Sequence, residues 1–299
     1  MKSKIYSLLS RVIRRTNWHD QYWAGVTKFW DINTFNFDVV NLGSNSGKYA
    51  FNYNGLNITG MNWAIGPQSL LHDFNILKNY FSYLREGATV IIPLCPFSSL
   101  ISSYSKSSNL KYYTFLHPAT IIDFDEKERI KALRIKRNPL KEIPLFCIKQ
   151  SIKDLENYIH KKDETCNYEL HAKQFIEMWK KQFGIVDLDA PLSVENRKGH
   201  ACRVQLLSEM IDFCLSRNLR PVLVIPPIHP ALAQKLTPVF RENYIYSFVR
   251  EANKKDAPFF DYIDHSEFRE QSYYRNSFFL NEKGAIKFTR LFLQNLSTL

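Results

Sequence analysis

The stretch Val39-Val40-Asn41-Leu42-Gly43-Ser44-Asn45-Ser46-Gly47 carries the strongest fold signal in this chain. Its first four residues form a short, largely apolar run that is typical of a buried strand. The small polar residues that follow, bounded by two glycines, predict a tight turn that ends the strand. Strands of this kind are typical of parallel sheets that are covered by helices on both faces.

Beyond this stretch the chain alternates between predicted strands and predicted helices. Apolar runs predict further strands at 57–65, 89–94, 221–225 and 259–263. The spacing of apolar residues predicts helices at 69–84, 205–216, 231–253 and 282–296. This alternation predicts an α/β fold: a doubly wound, flavodoxin-like three-layer sandwich with a mainly parallel central sheet. The turns at the carboxyl ends of such strands meet at one edge, where ligands bind.

Two regions are set apart from this alternation. Residues 1–30 are expected to form an N-terminal amphipathic helical segment, and residues 31–299 the α/β domain. Within that domain, residues 104–195 are charged and partly helical, which predicts a helical insertion or cap over the sheet edge. The helix predicted at 2–15 either docks on its own fold or lies on an anionic membrane surface, and the sequence leaves both interpretations open.

Composition narrows the classes of protein that the chain can belong to. It has 299 residues and a net charge of +11, with no run of 18 apolar residues and no signal-peptide pattern. A cytoplasmic location is therefore expected, with contact at the inner face of the membrane through residues 2–15 as the alternative. The five cysteines lack metal or redox spacing, so neither a metal nor a cofactor is predicted. No nucleic-acid-binding motif accompanies the charge, and nucleic acid is not an expected partner.

A second stretch, Asn276-Ser277-Phe278-Phe279-Leu280-Asn281, precedes the predicted helix at 282–296. Together with Gly43–Gly47 it resembles the first and last motif blocks of the SGNH/GDSL hydrolase family. In that family a G-D-S or G-S-S turn holds the nucleophilic serine, and a D-x-x-H-L-N-x-x-G turn supplies the catalytic acid and base. The resemblance implies that Asn45 replaces the nucleophile, Asn276 the aspartate and Phe279 the histidine.

These replacements remove the groups that ester hydrolysis needs. A serine esterase requires a hydroxyl nucleophile, an imidazole that accepts its proton, and an acid that orients the imidazole. A carboxamide at position 45 is not a usable nucleophile, and Phe279 has no proton acceptor. The stretch 62–69 is similar to the family's second block, which implies an oxyanion-binding role for the backbone of Gly66. No asparagine stands at 94–98, where the third block would have one.

The resemblance implies a function that rests on binding. The chain is similar to a branch of the family that acts on bacterial surface polysaccharides as acyltransferases or esterases. We expect a protein without serine-esterase activity that binds a glycan or acylated small molecule, or a partner biosynthetic enzyme. The expected ligand-binding residues are Gly43, Ser44, Asn45, Ser46 and Gly66.

Two alternative functions stay open at this point. The first is an active carbohydrate O-acetyltransferase or esterase that uses Ser44 or Ser46 as nucleophile. It needs a replacement base, for which His229 is the best placed histidine because it follows a predicted strand. The second is a membrane-surface scaffold that acts through residues 2–15.

Overall fold

The computed structural model describes residues 13, 19, 22, 23, 25–100, 110–159 and 166–297. The chain divides into two compact units. The sheet unit comprises residues 34–103 and 166–299, and the basic unit comprises residues 1–33 and 104–165. We name the basic unit for its composition, because it has 19 Lys and Arg against 11 Asp and Glu.

Five parallel strands form the sheet of the sheet unit. They are β1 Phe37–Asn41, β2 Gly60–Asn62, β3 Leu84–Pro93, β4 Arg220–Ile225 and β5 Phe259–Asp261. Their spatial order is β2-β1-β3-β4-β5, so the chain moves outward from β1 in one direction and then in the other. This is the order of the flavodoxin-like doubly wound sheet, and the predicted α/β fold class is confirmed.

Helices follow the strands along the chain. The sheet unit begins with α1 Asn45–Ala50 and α2 Leu70–Tyr80. The basic unit contains α3 Glu126–Arg137, α4 Pro139–Glu142 and α5 Pro144–Ile159. The chain then returns to the sheet unit with α6 Tyr168–Phe183, α7 Val194–Leu215, α8 Pro230–Ala233, α9 Pro238–Arg241, α10 Ser247–Ala252 and α11 Glu282–Leu296. Helix α1 packs on α11, while α2 and α10 pack on α7.

Both faces of the sheet are buried because its strands carry apolar residues in succession. On one face Val39, Ile91 and Val222 join an apolar cluster with Phe288 and Phe292 of α11. The strand residues that point the other way are equally buried: Val40, Val90, Ile92, Leu223 and Ile225. Burying apolar surface on both faces is the main source of stability for a sheet of this kind.

Helix ends follow local sequence signals, and one helix starts earlier than its apolar spacing predicts. The helix predicted at 282–296 is α11, and its first turn is capped by Asn281, whose Oδ1 accepts from Gly284 N at 3.0 Å. The helix predicted at 205–216 is part of α7, which starts eleven residues earlier at Val194, where Ser193 Oγ accepts from Asn196 N at 3.1 Å. The first turn of α7 is mostly exposed and polar, so apolar spacing did not reveal it.

The helix predicted at 231–253 is interrupted. It consists of α8, α9, a π-helical turn at Glu242–Tyr246 and α10. Proline begins both α8 and α9, and a proline ring cannot continue a preceding helix without losing a backbone hydrogen bond. The break leaves short helices in place of one long helix.

The basic unit has its own caps and a small aromatic cluster. Asp125 caps α3 by accepting from the backbone N–H groups of Lys127 and Glu128. Trp30 Nε1 donates to Thr114 Oγ1 at 3.0 Å, joining the two chain segments of this unit. In the parts of the chain that the structure describes, no helix combines the length and apolar character needed to cross a membrane.

The domain boundaries predicted from sequence stay predictions. The amphipathic helix predicted at 2–15 lies outside the described residues, apart from Ile13. The predicted insertion at 104–195 spans both units, because residues 104–165 belong to the basic unit and the rest to the sheet unit.

Candidate functional site

The turns that follow the strands lie at the carboxyl edge of the sheet. The backbone hydrogen bonds of the sheet extend into these turns: just after β1, Leu42 N donates to Ile91 O at 2.9 Å. The segment after β2 follows the same edge, where Ile65 N donates to Gly43 O at 3.1 Å. The strand order changes direction between β1 and β3, which is where doubly wound sheets place a ligand crevice.

Gly43 holds the turn after β1 in a shape that favours glycine. Its φ is +112°, and a Cβ built on it would lie 3.3 Å from Pro93 Cγ. Gly43 N donates to Asp73 Oδ1 at 2.9 Å, and Gly43 O accepts from Gln68 Nε2 at 3.1 Å. Gln68 Nε2 also donates to Asp73 Oδ1. The buried carboxylate of Asp73 therefore fixes the turn from below.

The predicted ligand residues after Gly43 lie at the start of α1. Ser44, Asn45 and Ser46 are all half-buried. Ser44 Oγ accepts from Gln68 N at 3.1 Å, and the carboxamide of Asn45 lies against Gly66. A Cβ built on Gly66 would overlap Asn45 Oδ1, so the close contact depends on a glycine there. The structure thus brings Asn45 and Gly66 together, with Ser44 bound to the same loop.

Two asparagines, which sequence reasoning missed, hold the end of α1. Asn41 Nδ2 donates to Asn62 Oδ1 at 2.9 Å. Asn62 Nδ2 in turn donates to the carbonyl oxygens of Gly47 at 3.2 Å and Phe51 at 2.8 Å. Carbonyls at the end of a helix lack partners within it, so Asn62 satisfies groups that would otherwise be unpaired.

A buried arginine lies near the Asp73 carboxylate. Burial lowers the pKa of Arg203, and the negative charge of Asp73 opposes that shift. Within the described residues, Arg203 Nε has no hydrogen-bond partner. Cys95 follows β3 at the same edge; burial raises the pKa of its thiol, while a hydrogen bond from Ser98 Oγ lowers it. The Asp73 carboxylate that holds the Gly43 turn is therefore within electrostatic range of a buried guanidinium, and the Cys95 thiol at the same edge is mainly neutral.

The turn at residues 276–281, which we call the Asn276 turn, is fixed by the side chain of Asn276. Asn276 Oδ1 accepts from Phe278 N at 2.9 Å and from Phe279 N at 2.8 Å. The ring of Phe279 lies 5.1 Å from the ring of Tyr49, and the Arg275 guanidinium lies 4.4 Å from the same tyrosine ring. Because Tyr49 belongs to α1, Phe279 packs on the helix that Asn45 begins. The amide orients the turn, and the phenyl ring places an apolar group beside α1.

Aromatic side chains of α6 extend this apolar surface. Phe278 lies 4.8 Å from Trp179 and 5.5 Å from Phe175, measured between ring centroids. Phe175 also lies 6.1 Å from Phe279. Both phenylalanines of the turn therefore have aromatic neighbours, and the edge combines small polar groups with flat apolar rings.

His229, the alternative base, is buried and has a capping role. Its side chain is 6% exposed, and its Nδ1 accepts from Ala231 N at 3.1 Å. Its ring stacks on Tyr168 at 4.1 Å. Burial lowers the pKa of His229, and the charge of Glu169 opposes this. The neutral ring then carries its hydrogen on Nε2, so in this arrangement it is a hydrogen-bond donor and not a base.

The backbone of His229 is joined to the Asn276 turn. His229 N donates to Ser277 O at 3.1 Å. His229 Nε2 and Ser277 Oγ are both buried, and neither has a hydrogen-bond partner among the described residues. No hydrogen bond within that part of the chain links His229 to Ser44 or Ser46. The structure therefore joins His229, the predicted alternative base, to the Asn276 turn and not to Ser44 or Ser46, the predicted alternative nucleophiles.

One cavity belongs to the basic unit and lies apart from these groups in the chain. Its volume is about 480 Å³. The residues that line it are His19, Thr27, Trp30, Asp31, Leu133, Lys136 and Arg137. No group of three or more His, Cys, Asp or Glu side chains within the described ranges is placed to hold a metal ion.

No protein-family model matches the sequence, and no protein of curated function matches it either. The arrangement of side chains at the carboxyl edge is therefore the main guide to function.

Proposed function

We propose that this chain is a non-hydrolytic relative of the SGNH hydrolases that binds a glycan or acylated small molecule at the carboxyl edge of its sheet. The sequence resemblance suggests that the protein acts in the assembly of bacterial surface polysaccharides. A partner biosynthetic enzyme is the alternative to a small-molecule ligand. Residues of the Gly43 turn, Gly66 and the Asn276 turn form the binding edge.

One observation carries this proposal. The carboxamide of Asn45 lies against Gly66, and Phe279 packs on Tyr49 one turn further along the same helix. An amide and a phenyl ring thus stand where the resemblance implies a nucleophile and a base. Neither group performs nucleophilic or acid–base chemistry at neutral pH. An amide can donate and accept hydrogen bonds, and a flat ring offers apolar surface on which a sugar or acyl group can pack.

Two further observations weigh against the enzyme alternative. His229 Nδ1 accepts a backbone N–H, so the neutral ring has no free lone pair for a serine proton. Asn276 Oδ1 is also occupied by two amide groups of its own turn. A hydrolase that used Ser44 or Ser46 would need another base.

A fluorophosphonate probe tests the absence of a reactive serine. We expect no serine of the purified wild-type protein to react, and no hydrolysis of nitrophenyl acetate above that of buffer. Labelling of Ser44 or Ser46, abolished by Ser44→Ala or Ser46→Ala, would overturn the proposal in favour of the esterase.

Binding is tested by saturation-transfer NMR with a panel of acetylated oligosaccharides. We expect Ser46→Arg to abolish transfer, because a long charged side chain at the start of α1 would obstruct the edge. Ser216→Arg is the matched control, because the exposed Ser216 lies between α7 and the amino end of β4. Equal loss in both variants, or binding unchanged in both, would count against this location of the site.

A restored triad tests the framework itself. The combined variant Asn45→Ser, Asn276→Asp and Phe279→His should gain labelling by the fluorophosphonate at position 45. Asp at 276 can keep the two backbone hydrogen bonds with one oxygen and orient a histidine at 279 with the other. A folded variant that stays unlabelled would argue against the family framework.

A further inference from the structure

The net charge of the chain is concentrated in the basic unit. Residues 1–33 and 104–165 have 19 Lys and Arg against 11 Asp and Glu, a net charge of +8. The sheet unit, which is about twice as long, has 21 basic and 18 acidic residues, a net charge of +3. An unbalanced charge of this size attracts anionic surfaces at physiological salt.

Helix α5 of the basic unit presents an apolar stripe that its own unit leaves exposed. Leu145, Ile148 and Ile152 are 83%, 53% and 53% exposed. Their spacing of three and four residues places them on one face of the helix. We call these three residues the α5 stripe.

The opposite side of α5 is anchored, so the orientation of the stripe is fixed. Cys147 is buried, and the ring of Phe146 lies 5.3 Å from the ring of Tyr22. The contact between Phe146 and Tyr22 lies within the basic unit. The helix therefore points three aliphatic side chains away from the groups that hold it.

Lysines lie next to the α5 stripe. Lys149 follows Ile148 directly and Lys153 follows Ile152, and both lysines are exposed. A helix with an exposed aliphatic face and adjacent lysines is typical of helices that lie in the interface of a membrane. The aliphatic groups enter the headgroup region, while the lysines remain at the level of the anionic phosphates.

We propose that the α5 stripe is a membrane-binding surface, and that its partner is a bilayer that contains anionic lipid. The charge of the basic unit favours an anionic bilayer over a neutral one. This surface is distinct from the sheet edge, and it does not depend on residues 2–15.

Vesicle co-sedimentation of the full-length protein tests this surface. The vesicles contain either phosphatidylcholine alone or equal parts of phosphatidylcholine and phosphatidylglycerol. We expect binding to the anionic vesicles, weaker binding at raised salt, and little binding to the neutral vesicles. Failure to bind anionic vesicles, or equal binding to both kinds, would overturn the proposal.

Substitution locates the contact. The variant Leu145→Gln, Ile148→Gln and Ile152→Gln should bind anionic vesicles at least about tenfold more weakly, because it cannot bury aliphatic groups in the interface. Lys149→Glu with Lys153→Glu should also bind more weakly. Circular dichroism checks that each variant is folded, which the exposure of all five side chains makes the expected result.

The matched control changes three exposed aliphatic residues of the sheet unit to glutamine. These are Leu170, Val186 and Val239, which are exposed to a similar degree. The control should bind like the wild type, and a loss equal to that of the stripe variant would overturn the location. Binding unchanged in the stripe variant but lost on deletion of residues 2–15 would overturn it too.

A second copy of the chain is the other occupant that the experiment can detect. Sedimentation velocity measures the mass of the wild type and the stripe variant without lipid. If the wild type is a dimer, the stripe variant a monomer, and both bind vesicles equally, the stripe is a protein interface and the proposal fails. A wild type and variant of equal mass, with vesicle binding lost only in the variant, would support it.

Discussion

The same three residues, His-Pro-Ala, occur once in each unit and meet different surroundings. His229-Pro230-Ala231 opens α8 in the sheet unit, and His117-Pro118-Ala119 opens a short 3-10 turn in the basic unit. In both, the histidine Nδ1 accepts from the alanine N–H, at 3.1 Å and 3.3 Å. His229 is buried between aromatic rings, whereas His117 is exposed.

The carboxylates of Asp73 and Asp125 differ in burial in the same way as the two histidines. Asp73 in the sheet unit is buried and accepts from Gly43 N and Gln68 Nε2. Asp125 in the basic unit is exposed and accepts from the first backbone N–H groups of α3. The two His-Pro-Ala turns thus make the same local hydrogen bond, whereas Asp73 accepts from a residue distant in sequence and Asp125 caps its own helix. We expect burial to decide how much stability each bond contributes. The polar groups around Asp73 in the sheet unit are buried and share partners, whereas Asp125 in the basic unit forms an exposed helix cap.

The largest expected effect is that of Asp73→Ala. It leaves Gly43 N–H without this acceptor, takes one acceptor from the Gln68 amide and removes a negative charge near the buried Arg203. The free energy of unfolding should therefore fall by about 3–5 kcal/mol. Urea denaturation measures the change. The control, Asp125→Ala, removes only an exposed cap and should cost about 1 kcal/mol. Equal losses would contradict the contrast between the units.

Replacing the two histidines should give the next largest difference. His229→Ala removes a cap together with a ring that stacks on Tyr168, and we expect a loss of about 2–3 kcal/mol in the free energy of unfolding. His117→Ala removes the same cap at an exposed position and should cost about 0.5–1 kcal/mol. Thermal denaturation of both variants beside the wild type provides the measurement. A larger loss for His117→Ala would reverse the interpretation.

A smaller effect tests whether close packing in the sheet unit reaches the candidate site. The Cβ introduced by Gly66→Ala would overlap the carboxamide of Asn45 and should destabilise the protein by about 1–3 kcal/mol. Combined with Asn45→Ala, which removes the carboxamide, the same substitution should cost less than about 1 kcal/mol. A double-mutant cycle by urea denaturation gives the coupling. Additive effects would mean that the two residues do not touch in solution.

The smallest expected effect concerns pH. Because burial lowers the pKa of His229 below its ordinary value of 6.5, the unfolded chain takes up this proton first as the pH falls. The stability that neutral His229 contributes is therefore complete above about pH 6.5 and declines below it. The difference in unfolding free energy between the wild type and His229→Gln should shrink over that range. A difference that grows as the pH falls would mean that the folded state favours the charged ring.

The fold could be predicted because its signals are local. The apolar runs at 89–94 and 221–225 correspond to β3 and β4, and the pattern at 282–296 is α11 to the residue. Polar helix starts gave no such signal, so the beginning of α7 was missed. The order of the strands in the sheet depends on which strands pair in the folded protein, and the local patterns of a single sequence do not specify that pairing.

The candidate site was predicted only in part. The Gly43 turn and the Asn276 turn were visible as motifs, but Asp73 and Arg203 lie on helices among unremarkable neighbours. A buried carboxylate on an otherwise apolar helix face, between Leu70 and Leu77, is the one signal that could have indicated Asp73. Nothing in the spacing pointed to Asn62, whose role depends on where the end of α1 comes to lie.

The pairing of β3 with β4 has a consequence for how the chain is made. Thr89 pairs with Arg220, so the ribosome must synthesise all of residues 104–165 before the central strand acquires this neighbour. At usual elongation rates, this edge of β3 stays unpaired for on the order of ten seconds after the strand has been synthesised. Nascent chains with an unpaired hydrophobic edge are natural clients of chaperones, and expression yield should therefore respond to chaperone supply.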